Sequence, residues 1–368
     1  MTIAASNGKT VLITGINGYI ASVLGQLVLT KGYSLRGTTR RPASVDALLN
    51  GAYAPYADRV DIFEVPDMTV PGAFDEAVKG VDGIFHTASP INFNLTTYEE
   101  TVDIAVAGNT SLLDSALKAG PQLKSVVTTS STVSVMDPKE EGSEYVFTEK
   151  DFASLALEES TKDRDAGRST PSNRLYAASK TAADRTMWKF RDEKKPSFAI
   201  SSINPVVVVG PPAALAANPR DLNETLYPLY TVFSGSSPSL PADIGSASSV
   251  DVRDVAFAHL WALEHPSIAD GERYIACSGK GTLQAAADTL RYAYKGTSPA
   301  DRVIKGTPGK GYVGYDEKTG KVSNIKYPPG QVRVDGSKAE RVMGFRYIPY
   351  EKSVADTAKI MERYFENV

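Results

Sequence analysis

The chain has 368 residues, 42% hydrophobic and 23% charged, which are ordinary globular values and enough length for one large or two intimately joined domains. A formal net charge of -3 gives no electrostatic case for nucleic acid or an anionic membrane, and no apolar run reaches membrane-spanning length. The single cysteine, Cys277, excludes an internal disulfide, three scattered histidines argue against a metal site, and the short polar start has no apolar signal core, so a soluble cytoplasmic protein is expected.

The first element organises the rest. Val11, Leu12 and Ile13 form an apolar run suited to a strand buried on both faces, and the run stops at Gly15. Ile20, Val23, Leu24, Leu27 and Val28 then follow at i, i+3, i+4, i+7 and i+8, one stripe of a helix that Lys31-Gly32 closes. Gly15 can take the tight turn and Gly18 lets the main chain approach a ligand. The amides that open the helix, around Asn17, Tyr19 and Ile20, then face a pyrophosphate. Ala21 stands where a third glycine is usual, so the motif depends on its surroundings; a plain glycine turn reads the same way.

Strand and helix patterns then alternate. Residues 33–38, 60–65, 83–87 and 124–129 read as strands, with 71–79 and 98–117 as the clearest helices between them. Alternation predicts parallel strands with right-handed crossovers, a doubly wound sheet whose ligands lie beyond the strands' carboxyl ends. The second strand ends Thr38-Thr39-Arg40-Arg41, two guanidinium groups where an acid would grip the ribose of NAD. This predicts NADPH, with Arg40 forking onto phosphate and Arg41 covering adenine; two solvated arginines are the plainer reading. After the third strand, Asp67 can accept from the adenine amino group and Met68 can pack on its ring, or Asp67 is simply a loop carboxylate.

The fourth strand ends in His86, read as a buried strand histidine, then Thr87, Ala88 and Ser89, small enough for the main chain to run beside a cofactor. Ile91, Phe93, Leu95 and Tyr98 follow as an apolar loop suited either to a substrate pocket or to core packing. The fifth strand ends in a hydroxyl cluster, Thr128-Thr129-Ser130-Ser131-Thr132, which fits turn chemistry or a hydrogen-bonding site. Tyr176-Ala-Ala-Ser-Lys180 tips the balance. Tyr and Lys four apart share a helix face, and an ammonium beside a phenol lowers its pKa toward the range a general acid needs.

Together the stretches Thr14-Gly-Ile-Asn-Gly-Tyr-Ile-Ala21, Arg36-Gly-Thr-Thr-Arg40, His86-Thr-Ala-Ser-Pro90, Val127-Thr-Thr-Ser-Ser-Thr132, Tyr176-Ala-Ala-Ser-Lys180, Asn204-Pro205 and Val250-Asp-Val-Arg-Asp254 resemble an extended short-chain dehydrogenase/reductase. Within that superfamily the chain is most similar to dihydroflavonol reductase and the fungal NADPH-dependent aldehyde and ketone reductases, over nearly its whole length. The resemblance implies a Rossmann-type α/β fold, with residues 1–210 binding NADPH and 211–368 forming mainly a substrate lobe from which some segments return. Tyr176 is implied as proton donor, Lys180 as the group that tunes it and holds the nicotinamide ribose, and Ser131 as the hydroxyl on the substrate carbonyl, with Ser130 its rival. Thr129 joins the implied cofactor set, and Pro205 and Val207 are implied to pass the nicotinamide.

Some positions depart from the family pattern. Ala21 is one; Asn109 is another and is not assigned the catalytic asparagine role; and 163–174 is an unusually polar run, read as a surface excursion. The expected activity is reduction of a small aldehyde or ketone by a monomer or homodimer. A sugar-nucleotide epimerase or dehydratase is the rival on the same scaffold, disfavoured by Arg40-Arg41 and by the lack of an acid beside the strand-five hydroxyls. A catalytically silent NADPH-binding regulator is disfavoured by the intact Ser, Tyr and Lys. In the second half, 211–249 reads as a lid or core segment, Asp251, Arg253 and Asp254 as capping and ion pairing, 305–332 as an exposed hairpin, and 337–344 and 351–364 as closing helices.

Overall fold

The computed structural model describes residues 4–89, 97–140 and 142–366, so Ile91, Phe93 and Leu95 of the expected apolar loop lie outside the described residues. Strand β1 (Thr10–Thr14) buries Val11, Leu12 and Ile13 completely and passes through the glycine turn into α1 (Tyr19–Thr30), which closes at Lys31 before Gly32 at φ +89°. There follow β2 (Ser34–Thr39), α2 (Asp46–Leu49), β3 (Val60–Glu64), α3 (Asp75–Val78) and β4 (Gly83–His86). The helix expected over 71–79 shrinks to the single turn α3. Gly72 and Gly80 both sit at positive φ, so the chain turns sharply on either side of it.

The expected helix over 98–117 opens as a π-helical turn (Glu99–Asp103) and continues as α4 (Ile104–Ala116). After β5 (Ser125–Thr129) and the short β6 (Val146–Phe147) come α5 (Leu155–Asp165) and the long α6 (Ser172–Lys194). Part of the run read as a surface excursion is therefore the end of α5. Its N-terminus is held from outside the helix, since the Asp137 carboxylate accepts from the amides of Ser154 at 3.1 Å and Leu155 at 3.0 Å.

The remaining elements are β7 (Ala199–Pro205), β8 (Val207–Val209), α7 (Leu226–Ser234), β9 (Ser248–Asp251), α8 (Val252–Glu264), α9 (Pro266–Ala269), β10 (Arg273–Ala276) and β11 (Gly279–Lys280). The chain ends with α10 (Leu283–Ala293), α11 (Ser298–Arg302), β12 (Val313–Tyr315), β13 (Val322–Lys326), β14 (Arg333–Val334), α12 (Ser337–Met343) and α13 (Tyr350–Met361). The hairpin read in 305–332 is the antiparallel pair β12 and β13, and α12 and α13 are the closing helices.

Seven strands form the main sheet in the order β10-β7-β5-β4-β1-β2-β3. β1 pairs in parallel with β2 on one side and β4 on the other, Leu12 lying opposite both Arg36 and Ile84. The expected Rossmann-type doubly wound α/β sheet is thus the fold. Its strand order reverses between β1 and β4, and that crevice is where such sheets bind ligands. One face packs Leu12, Ile84 and Val126 against Val78, Leu112, Leu113 and Met187.

The chain divides into two compact units, one of Met1–Pro138, Glu149–Asn204 and Ala256–Tyr274, the other of Lys139–Thr148, Pro205–Val255 and Ile275–Val368. In the second, Leu226 and Phe233 of α7 are core residues, while Tyr227 is 44% exposed. Arg253 forks onto Asp251 at 2.9 and 2.7 Å and reaches Asp356 of α13 at 2.8 Å, the ion pairing expected of that segment.

Candidate active site

At the carboxyl end of β1, Gly15 holds φ +65° and its amide donates to Thr38 Oγ1 at 3.2 Å, tying the turn to β2. A side chain there would press on Ala88 at 3.2 Å, so the loops after β1 and β4 touch at this point. Gly18 is the N-cap of α1, without a side-chain acceptor, and the first turn carries no acid. Asn17 is exposed, and Tyr19 and Ile20 are half-buried. The opening of α1 therefore presents its positive end without a built-in anion, which suits a pyrophosphate.

Arg40 and Arg41 lie exposed beyond β2. Asp67 is already engaged. It accepts from the amide and hydroxyl of Thr69 at 2.8 and 2.7 Å, and these bonds hold its carboxyl below the usual carboxylate range. Met68 turns partly inward, packing on the core and against Gly108 of α4.

At the end of β4, Thr14 Oγ1 accepts from the amides of Thr87 at 3.1 Å and Ala88 at 3.0 Å, and lies 2.9 Å from His86 Nδ1. Its single proton then goes to Nδ1, which leaves the neutral imidazole protonated on Nε2. Burial first, and the charge of Lys180 second, push the His86 pKa down to about 3. His86 is the buried strand histidine anticipated, not an acid or base near neutral pH.

The hydroxyl cluster after β5 separates into distinct jobs. Thr129 Oγ1 lies 2.7 Å from His259 Nε2. Ser130 turns inward and donates to Asp184 Oδ1 at 2.8 Å. Ser131 instead caps a 3-10 turn, its hydroxyl accepting from Val133 N at 3.3 Å and meeting the Tyr176 phenol in a hydrogen bond. Asn204, wholly buried at the end of β7, donates to the Ser131 carbonyl at 3.1 Å and fixes this turn.

Tyr176 and Lys180 stand one turn apart on α6. Burial raises the Tyr176 pKa, and the partner that lowers it again is Ser131. The sequence pointed to the Lys180 ammonium for that role. Burial pulls Lys180 down to about 8, against an upward pull from Asp184. Ala88, Ser89, Thr129, Ser130, Lys180 and Asp184 share a small cavity of about 30 Å³. A larger one, about 370 Å³, lies in the second unit around Cys277, Lys280 and Tyr347, and Ser131, Tyr176 and Lys180 do not line it. Pro205, closing β7, and Val207, opening β8, belong to the second unit.

Sequence reading missed Asp184, although it continues the spacing of Tyr176 and Lys180 by one more turn. Arg273, buried with Asp184, carried no local signal at all. Asn109, left without a role, donates to the Ala183 carbonyl at 2.7 Å and ties α4 to α6.

A doubly wound sheet with a glycine turn at its switch point and a Ser-Tyr-Lys set at the neighbouring strand end defines a nucleotide-dependent enzyme scaffold. More narrowly, the chain belongs to the NAD dependent epimerase/dehydratase family, whose model matches residues 11–277. It is 34% identical over 298 residues to aldehyde reductase 2 of Sporidiobolus salmonicolor, covering 80% of this chain and 84% of that one. A ketoreductase of Aspergillus niger is 29% identical over 363 residues, 97% of this chain and 98% of that protein. Among solved structures, the yeast methylglyoxal/isovaleraldehyde reductase complexed with NADPH superposes with a TM-score of 0.79 at 25% identity, covering 98% of this chain and 100% of that one. No helix among the described residues is long and apolar enough to cross a membrane.

Proposed function

We propose that this protein is an NADPH-dependent reductase that converts a small aldehyde or ketone to its alcohol. The observation that carries the reading is the hydrogen bond between the Tyr176 phenol and the Ser131 hydroxyl, with Lys180 one turn further along α6. The activities named for the aldehyde reductase, the ketoreductase and the yeast methylglyoxal reductase support it.

The residues present suit the dinucleotide. The uncapped start of α1, with Gly15, Asn17, Gly18, Tyr19 and Ile20, takes the pyrophosphate, and Arg40 and Arg41 take the 2'-phosphate and adenine side. Met68 and Asp67 flank the adenine, and Thr87, Ala88, Ser89, Thr129, Pro205 and Val207 complete the cofactor set. NADPH, when bound, supplies the hydride.

The chain's own residues manage the proton. Ser131 donates a hydrogen bond to the substrate carbonyl oxygen, and Tyr176 Oη transfers its proton to that oxygen as negative charge develops there. Lys180, in its ammonium form, favours the phenolate that remains and binds the nicotinamide ribose. The rest of the substrate pocket falls mainly in 211–368, and the protein works in the cytoplasm as a monomer or homodimer. An epimerase or dehydratase would want a carboxylate beside Ser131. The acid bonded at that strand end, Asp184, is instead buried on Ser130.

With methylglyoxal and NADPH as the probe pair, Tyr176→Phe should cut turnover by roughly 100- to 10,000-fold. NADPH binding, read by its fluorescence, should survive. Wild-type turnover in that variant refutes the assignment.

A further inference from the structure

Four side chains converge behind the Ser-Tyr-Lys set. Asp184 stands one turn beyond Lys180 on α6, its side chain 2% exposed. Its Oδ1 accepts from Ser130 Oγ at 2.8 Å, and its Oδ2 accepts from Trp188 Nε1 at 3.2 Å and faces Arg273 Nη2 at 3.4 Å. Arg273, its side chain 5% exposed, is itself fixed by the carbonyls of Asp151 at 2.7 Å and Ser134 at 3.3 Å. A buried ion pair is rarely kept for stability alone, because desolvating both charges offsets most of their attraction.

We infer that Asp184 is a positioning residue for the reaction: braced by Ser130, Trp188 and Arg273, and lining the same cavity as Lys180 one helical turn away, it serves as the counter-charge to that side chain and orients the segment carrying Ser131. The inference rests on the role given to Lys180 above. Burial works against the ammonium, and Asp184 is the group that opposes burial there. Burial likewise works against the Asp184 carboxylate, which Arg273, Ser130, Trp188 and Lys180 all favour. Among the described residues, Tyr176 on the same helix and His86 on β4, which stays neutral near pH 7, also stand near Lys180, and His259 bonds Thr129 on the same cavity; behind Asp184, Arg273 is faced by Glu149 and Asp151. Through Ser130, the same carboxylate is bonded to the residue next to Ser131, whose carbonyl Asn204 secures from the other side.

The test is the pH dependence of kcat for methylglyoxal reduction at saturating NADPH. In the wild type, kcat should fall as pH rises through about 8, the value to which burial brings Lys180. In Asp184→Asn that alkaline limb should move down by about 1 pH unit or more, while Asp184→Glu, which keeps the charge, should return it toward the wild-type position. If Asp184→Asn leaves Arg273 uncompensated and does not fold, Asp184→Asn with Arg273→Gln removes both charges and is read in the same way. An unmoved limb in either folded variant, alongside lost turnover in Lys180→Met, overturns this inference alone. Wild-type turnover in Lys180→Met overturns the role of Lys180 and the inference with it.

Discussion

Arg40 and Arg41 stand just beyond β2, the strand end to which we assign the choice between the two dinucleotides. Both are exposed, so each is free to fork onto phosphate without first breaking a buried contact. A charge-assisted bond of this kind contributes about 1.5–3 kcal/mol. Arg40→Ala should therefore raise KM for NADPH by roughly 10- to 100-fold and leave KM for NADH nearly unchanged; equal losses for both cofactors in steady-state assays would remove the 2'-phosphate role. At this scale the site was legible wherever spacing alone sets the geometry. Tyr176 and Lys180 share a face because a helix has 3.6 residues per turn. The division of labour between Ser130 and Ser131 was not legible, because it depends on a 3-10 turn that Ser131 caps and on a carboxylate more than fifty positions away.

Elements show the same contrast between local and distant causes. β1 and α1 were readable because an apolar run, a glycine turn and an amphipathic stripe follow one another without interruption. α5 was hidden by a polar composition, and its N-terminal amides are satisfied by Asp137 rather than by a residue of its own first turn. That arrangement has a measurable consequence. Asp137→Ala removes both the acceptor and the negative charge at the helix's positive end and should cost about 1–2 kcal/mol. The urea midpoint should fall with the m-value unchanged, and Asp137→Asn should recover part of the loss. No change in midpoint would mean that water serves those amides equally well.

Over the whole molecule, the main sheet follows from repetition of one strand-helix motif, whereas the second unit includes some strands too short to carry a period. β6 and β14, two residues each, find each other from widely separated positions, and no local pattern announces such a pairing. That unit also carries the clearest handle on overall stability. Asp254 accepts from the Ile348 amide at 2.8 Å, and burial lifts its carboxyl to about 7, with Asp251 and Glu340 pushing the same way against the Ile348 bond and Arg253. The folded state then holds this proton more tightly than the unfolded chain, whose carboxyl titrates near 3.9. Its stabilising effect is complete below about pH 4 and is lost as pH rises to about 7. His86 has the opposite sign. Its folded pKa of about 3 makes its stabilising effect complete above about pH 6.5 and progressively lost in acid. Asp254→Asn keeps an acceptor for Ile348 but cannot ionise. Its stability relative to the wild type should therefore improve between pH 4 and pH 7 by on the order of a few kcal/mol, read from urea midpoints at each pH, and a difference constant across that range would show that Asp254 titrates near its ordinary value in the folded protein.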